Sequence, residues 1–194
     1  MRIFGVILAG GQARRMGGAD KALVPLAGKP LIAHVVERFA PQVEALAISA
    51  NGDAARFHRF GLPVIPDADR LGPLSGILGA LDWAAAAGAT AVVSVPVDAP
   101  FLPGDLVPQL VLAGGDGAAI AGAYGRAHPV FGLWPVEVRS RLAAFLASGA
   151  KPKVLDFCAQ VAAARADFVD ETAFLNVNTP EDLARAEALI GGQR

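Results

Sequence analysis

The stretch Ile3-Phe4-Gly5-Val6-Ile7-Leu8-Ala9-Gly10-Gly11-Gln12-Ala13-Arg14-Arg15-Met16-Gly17-Gly18-Ala19-Asp20-Lys21 sets the frame for the rest of the chain. Ile3 to Leu8 is a short apolar run bounded by a turn signal, the pattern of a buried strand. The four glycines behind it free the backbone for a close approach to a ligand. Successive free N–H groups in such a loop cradle phosphate oxygens. Between Gly10 and Lys21 there are three basic residues against one acidic. A glycine-rich turn alone is as readily structural as functional, and the cations tip the reading toward phosphate. Neither G-x-G-x-x-G nor G-x-x-x-x-G-K-[ST] is present, so this is neither a dinucleotide fingerprint nor a P-loop.

The same alternation continues along the chain. Apolar, β-branched runs bounded by Gly, Pro, Asn or Asp predict strands at Ala45 to Ser49, Pro63 to Ile65, Ala91 to Val97, Gly117 to Ala121 and Pro129 to Leu133. Leu74, Ile77, Leu78 and Leu81 follow helical spacing, as do Leu31, Val35 and Phe39, and Leu183, Ala186 and Ile190. Val136 to Ala147 predicts another helix, with Arg139 and Arg141 on its polar face. Strand alternating with helix argues for an α/β fold, a single three-layer domain with a mainly parallel sheet flanked by helices. Ligands in such sheets bind at the carboxyl ends of the strands.

Composition narrows the function classes. The 194 residues carry 17 basic and 18 acidic side chains, a formal net charge of -1, which disfavours general electrostatic binding to nucleic acid or membrane. Hydrophobic residues make up 54% and charged residues 18%, which excludes disorder. The single cysteine, Cys158, excludes an internal disulfide framework and a multi-cysteine zinc site, and reads as a small core residue. The longest apolar stretch, Trp83 to Val97, is interrupted by Gly88 and Pro96 and falls short of the roughly 20 residues of a membrane helix. The expectation is a cytoplasmic protein.

Residues just after strands are the candidates for chemistry. Asp98, in Val95-Pro96-Val97-Asp98-Ala99-Pro100, offers a hard carboxylate suited to Mg²⁺, which takes one or two carboxylates plus substrate phosphates. The same pattern also suits a turn-capping Asp. Asp67 precedes Gly72-Pro73-Leu74-Ser75-Gly76, where glycines admit a ligand close to the backbone. Taken by itself Asp67 reads as a solvated loop residue, and Asn51 serves equally to read a base edge or to make an Asx-turn with Gly52. Near the C-terminus, Phe174-Leu175-Asn176-Val177-Asn178-Thr179-Pro180-Glu181-Asp182 predicts a helix capped by Thr179, with Pro180 in the first position and Asp182 completing a capping box. Asn176 and Asn178 fall on one side of the extended segment before it.

The run Leu-Ala-Gly-Gly-x-x-x-Arg-Met-Gly-x-x-x-Lys resembles the signature of GT-A-like nucleotidyltransferases, and in its full form that of the molybdenum cofactor guanylyltransferase (MobA-type) family. The likeness spans nearly the whole chain. It implies an Mg²⁺-dependent enzyme that moves GMP from GTP to the terminal phosphate of molybdopterin or its molybdenum form. It also implies Arg15, Lys21 and Asp98 as catalytic residues, with Asp98 holding the metal. Leu8, Ala9, Gly10, Gly11, Lys21, Asn51, Asp67 and Asp98 would bind the nucleotide. Asn176 and Asn178 would bind the pterin substrate. The nucleotide half would run to about residue 115 and the pterin half over about 116–194.

His128-Pro129 resembles a family segment bordering the active site, and a His before Pro also simply ends strands. Lys151 and Lys153 fall where the family carries basic residues near the pterin phosphate, and equally suit a solvated face. The family often has an Asn two positions before Asn51, where this chain has Ser49. Cytidylyl relatives usually read Leu-Ala-Ala-Gly, so Leu-Ala-Gly-Gly favours GTP. The alternatives are a cytidylyltransferase for the same cofactor, a sugar- or polyol-phosphate transferase, and a non-catalytic nucleotide sensor. A monomer is expected, with cofactor-delivery proteins as plausible partners.

Overall fold

The structure, a computed structural model, describes residues 1–10, 20–67, 72–148 and 153–192. Arg14, Arg15, Gly11 and Lys151 lie outside the described residues. Nine strands form, at Ile3–Leu8 (β1), Pro25–Leu26 (β2), Lys29–Pro30 (β3), Ala45–Ala50 (β4), Val64–Pro66 (β5), Ala91–Pro96 (β6), Ala119–Ala123 (β7), Arg126–Pro135 (β8) and Ala164–Phe168 (β9) among the described residues. The helices there are Leu31–Phe39 (α1), Pro73–Ala86 (α2), Leu106–Gly114 (α3), Arg139–Ala147 (α4), Val154–Gln160 (α5) and Pro180–Gly191 (α6).

Seven strands make one sheet in the order β5-β4-β1-β6-β8-β7-β9. β1 pairs parallel with β4 and β6, β4 with β5, and β7 with β9. Only β8 runs against its neighbours, β6 and β7. β1 is apolar throughout because helices cover both faces of the sheet. On one face Ile7, Ile48, Val93 and Val95 pack on Ile32, Val35 and Phe39 of α1 and Leu106 and Leu110 of α3. On the other, Phe4, Val6, Val92 and Trp134 pack on Leu74, Ile77 and Leu81 of α2, Leu142 of α4 and Phe157 of α5. α6 closes a smaller cluster with Val24, Leu26, Leu31 and Val177.

The anticipated strands and helices all form, with shifted bounds. β7 starts two residues later than the Gly117 expectation, and Val136 to Val138 is a 3-10 turn ahead of α4 rather than part of it. The hairpin β2–β3, α3, α5 and β9 were not anticipated. α3 is apolar nearly all round, so no stripe marks it, and β9 carries Arg165 and Asp167 on an edge strand. Cys158 is buried as expected, and burial pushes its thiol pKa up to about 11. No helix among the described residues is long and apolar enough to cross a membrane.

One irregularity shapes the cavity described below. Along β7 and β8, Ile120 faces Gly132 but the next residue, Ala121, faces His128. Pro129, Val130 and Phe131 therefore bulge out of the ladder, where a proline without an N–H is tolerated. The displaced Val130 carbonyl accepts from Ser94 Oγ at 2.7 Å, and Ser94 Oγ accepts from Trp134 Nε1 at 2.9 Å. That chain satisfies a serine buried in the sheet.

Candidate active site

The carboxyl ends of β1, β4, β5 and β6 open into one cavity of about 1210 Å³. This is large for a single small ligand, for which about 300–1,000 Å³ is usual. Leu8, Ala9 and Gly10 form its floor, Asn51, Asp67, Gly72 and Gly76 one wall, and Arg126 to Phe131 the other. Gly72 caps α2 with φ 91° and ψ -158°, a conformation that needs glycine, so the start of α2 turns sharply at the cavity edge.

Lys21 sits at the centre. Asp20 caps the short 3-10 turn Lys21–Leu23, its side chain accepting from the Ala22 N–H at 3.0 Å. Lys21 itself is only 9% exposed. Its Nζ donates to Asp98 Oδ2 at 2.5 Å and to Asn178 Oδ1 at 2.5 Å. The ammonium thus joins the end of β1's loop, the end of β6 and the segment before α6, which are 77 and 157 residues away in sequence from Lys21.

That segment is held in place by backbone contacts. The Val177 N–H donates to the Asp98 carbonyl at 2.8 Å, and Val177 is fully buried between the exposed Asn176 and Asn178. The capping box of α6 forms, with Asp182 Oδ2 accepting from the Asn178 N–H at 2.9 Å and the Thr179 N–H at 3.0 Å. The Asn178 amide leads in holding the Asp182 carboxyl below the usual carboxylate range. Asn176 lines the cavity beside them.

Asp67 is not a solvated loop residue: it is buried, with Oδ2 at 3.5 Å from Asn51 Nδ2. A Cβ built on Gly10 would stand 3.4 Å from Asp67 Oδ2 and 3.7 Å from Asn51 Nδ2. Ser49, in the place where the MobA-type pattern often has Asn, is buried against α2, and a Cβ on Gly76 would meet its Oγ at 2.7 Å. Oδ1 of both Asp67 and Asp98 is buried and has no hydrogen-bond partner among the described residues. Such orphaned carboxylate oxygens are costly unless a cation or donor meets them. Among the described residues no three His, Cys, Asp or Glu side chains converge. The donor set therefore suits a hard ion that takes one or two protein carboxylates and completes its shell elsewhere.

The opposite wall is aromatic. His128 stacks on Phe174, with ring centroids 4.5 Å apart, and meets the edge of Phe131. Burial, then the Arg126 charge, lowers the His128 pKa, so the ring is neutral at pH 7. Lys153 is exposed ahead of α5, away from the cavity lining. Arg56 lines the cavity too, and sequence reasoning missed it. The signal present was Asp53, which caps the 3-10 stretch Ala54–Phe60 and places Arg56 back over the end of β4.

A family model described as a MobA-like NTP transferase domain matches residues 5–165. The chain belongs to the MobA-like NTP transferase family. It is 62% identical over 190 residues to a molybdenum cofactor guanylyltransferase of Cereibacter sphaeroides, covering 98% of each chain. It is 45% identical over 199 residues to one of Mesorhizobium japonicum, covering 97% of this chain and 96% of that one. Among solved structures, molybdopterin-guanine dinucleotide biosynthesis protein A of Archaeoglobus fulgidus superposes with a TM-score of 0.76 at 23% identity, over 97% of this chain and 99% of that one. A CMP:2-keto-3-deoxy-manno-octonic acid synthetase complexed with CTP gives 0.78 at 17% identity, over all of both chains. At such identities the structures establish a shared nucleotidyltransferase fold. This MobA-like chain is a nucleotidyltransferase.

Proposed function

We infer that the chain transfers GMP from GTP to the terminal phosphate of molybdopterin or its molybdenum form, releasing pyrophosphate. The observation that carries this reading is Lys21 Nζ, bridged between Asp98 at the end of β6 and Asn178 before α6. One ammonium thereby joins the candidate metal-holding carboxylate to the acceptor segment. The names of relatives 62% and 45% identical over nearly the full length support the guanylyl acceptor chemistry.

The chemistry needs little beyond charge and alignment. A phosphate monoester has a second pKa of about 6, so the acceptor arrives as a ready nucleophile and no Ser, Cys or His is required. Two anions must nevertheless approach each other in line. Lys21 places positive charge where the phosphates meet, and fixed donors of this kind act most strongly in a water-poor site. Backbone N–H groups near Gly10 support the same charge. Asp67 and Asn51 present a carboxylate and an amide to the nucleoside, and the missing Cβ of Gly10 leaves space beside them. Asn176 and Asn178 meet the acceptor, and the His128 to Phe131 wall gives its ring system an apolar face.

Asp98, whose Oδ1 has no partner among the described residues, is the residue that would hold Mg²⁺. When bound, the ion neutralises phosphate charge. The use of GTP supports a cytoplasmic reaction. Arg15 and Gly11 are assigned to the triphosphate on the motif alone. The test is Asp98→Ala: Mg²⁺-dependent pyrophosphate release from GTP and molybdopterin should vanish while the circular dichroism spectrum stays native and unfolding stays cooperative, at a midpoint lowered by the loss of the Lys21 pair. Full turnover in that variant would remove the metal assignment.

A further inference from the structure

Arg56 is tied down more tightly than any ligand-seeking arginine needs to be. Its Nε donates to Asp20 Oδ2, its Nη1 to the Asp53 carbonyl and its Nη2 to the Asn51 carbonyl, the last at 2.6 Å. The guanidinium lies over the Phe57 ring, 4.4 Å from its centroid. The Arg56 and Asp20 side chains are 22% and 24% exposed. Asp20 spends its other oxygen, Oδ1, capping the turn that carries Lys21. Three nitrogens and one face of the guanidinium are therefore committed to protein groups.

The partners belong to two different parts of the site. Asp20 and Lys21 end the phosphate loop, and Asn51 directly follows β4 on the nucleoside wall. Among the described residues the sheet beneath also joins these two segments, where the Ala9 N–H meets the Ser49 carbonyl at 2.8 Å. We propose that Arg56 is a positioning residue that locks the Lys21 turn to the Asn51 end of β4 through Asp20, setting the distance between the phosphate and nucleoside subsites. It acts through Asp20 and the Asn51 backbone, without touching the reacting atoms. A planar fork with several donors suits three acceptors at fixed angles, and a lysine has no such geometry. This rests on the reading that the cavity takes a nucleoside triphosphate.

The test is a double-mutant cycle on the full chain with Arg56→Gln, Asp20→Asn and the pair combined, plus Arg56→Lys. GTP binding is read by calorimetry without acceptor, kcat and KM by pyrophosphate release, and folding by thermal unfolding. Each single variant should weaken GTP binding about tenfold, and the double variant should be no worse than the weaker single, because both break one link. Arg56→Lys should bind GTP as poorly as Arg56→Gln. Additive losses, full rescue by lysine, or a lowered unfolding temperature with unchanged GTP affinity would overturn the proposal. If the wild type binds CTP in place of GTP, the guanylyl reading fails while the same cycle, run with CTP, still decides the role of Arg56.

Discussion

Lys21→Ala separates the stability and catalytic roles of the central ammonium. The Lys21 and Asp98 side chains are 11% and 16% exposed, so their ion pair is largely removed from water. Breaking a buried pair by deleting one partner costs about 3–5 kcal/mol, because the remaining charge is uncompensated. The pair stands at a cavity wall that water reaches, which reduces the cost to about 2–3 kcal/mol. A chain of this size loses about 2–4 °C of unfolding midpoint per kcal/mol, so the fall should be about 4–12 °C. Adding Asp98→Asn removes the orphaned charge and should recover at least half of that loss. Activity should follow a different course. Loss of one charged donor at the phosphates should lower kcat by about 10²–10³, and the second substitution should not restore it. Urea or thermal unfolding reads the first quantity and pyrophosphate release the second. Wild-type turnover in Lys21→Ala, or a stability loss that Asp98→Asn leaves untouched, would refute the reasoning.

Other parts of the site give further expectations. Gly76→Ala should destabilise the fold by about 1–3 kcal/mol and weaken nucleotide binding, since its Cβ would press on Ser49 Oγ at 2.7 Å and Leu8 Cδ2 at 2.9 Å; equal unfolding midpoints would contradict the packing. Asp182→Ala should cost about 1 kcal/mol by opening the α6 capping box, and should raise KM for the acceptor more than for GTP because it frees the Asn178 backbone. His128 resists protonation in the fold, whereas the unfolded chain takes up that proton near pH 6.5, so acidification below that value favours unfolding. Arg126 and Arg165 add to this effect and Glu171 opposes it. The loss of thermal stability between about pH 7.5 and 5.5 should therefore be smaller in His128→Phe than in the wild type, and equal slopes would count against a neutral His128.

The layers of this fold are legible because they rest on local patterns. β1 and α2 announce themselves by an apolar run and a helical stripe, and the capping residues Thr179, Pro180 and Asp182 mark the start of α6 to the residue. Elements without a stripe are hidden: α3 is apolar on most sides, and β9 is a polar edge strand that exists because β7 offers it a parallel partner. The site divides in the same way. Asp98 and Lys21 stand where strand-end logic and motif spacing put candidates. What no local pattern contains is that Lys21 reaches Asn178 across 157 residues, or that Arg56 turns back onto Asp20. Nor does the sequence alone bury Asp67, whose setting depends on β5 lying beside β4 at the sheet edge.

The central claim is the choice of nucleotide and acceptor. The direct measurement is pyrophosphate release from GTP, CTP, ATP and UTP in turn, each with molybdopterin and Mg²⁺. The account predicts release with GTP far above the other three, dependent on both molybdopterin and Mg²⁺. Release chiefly with CTP, or tight binding of a nucleotide with no release from any, would contradict it.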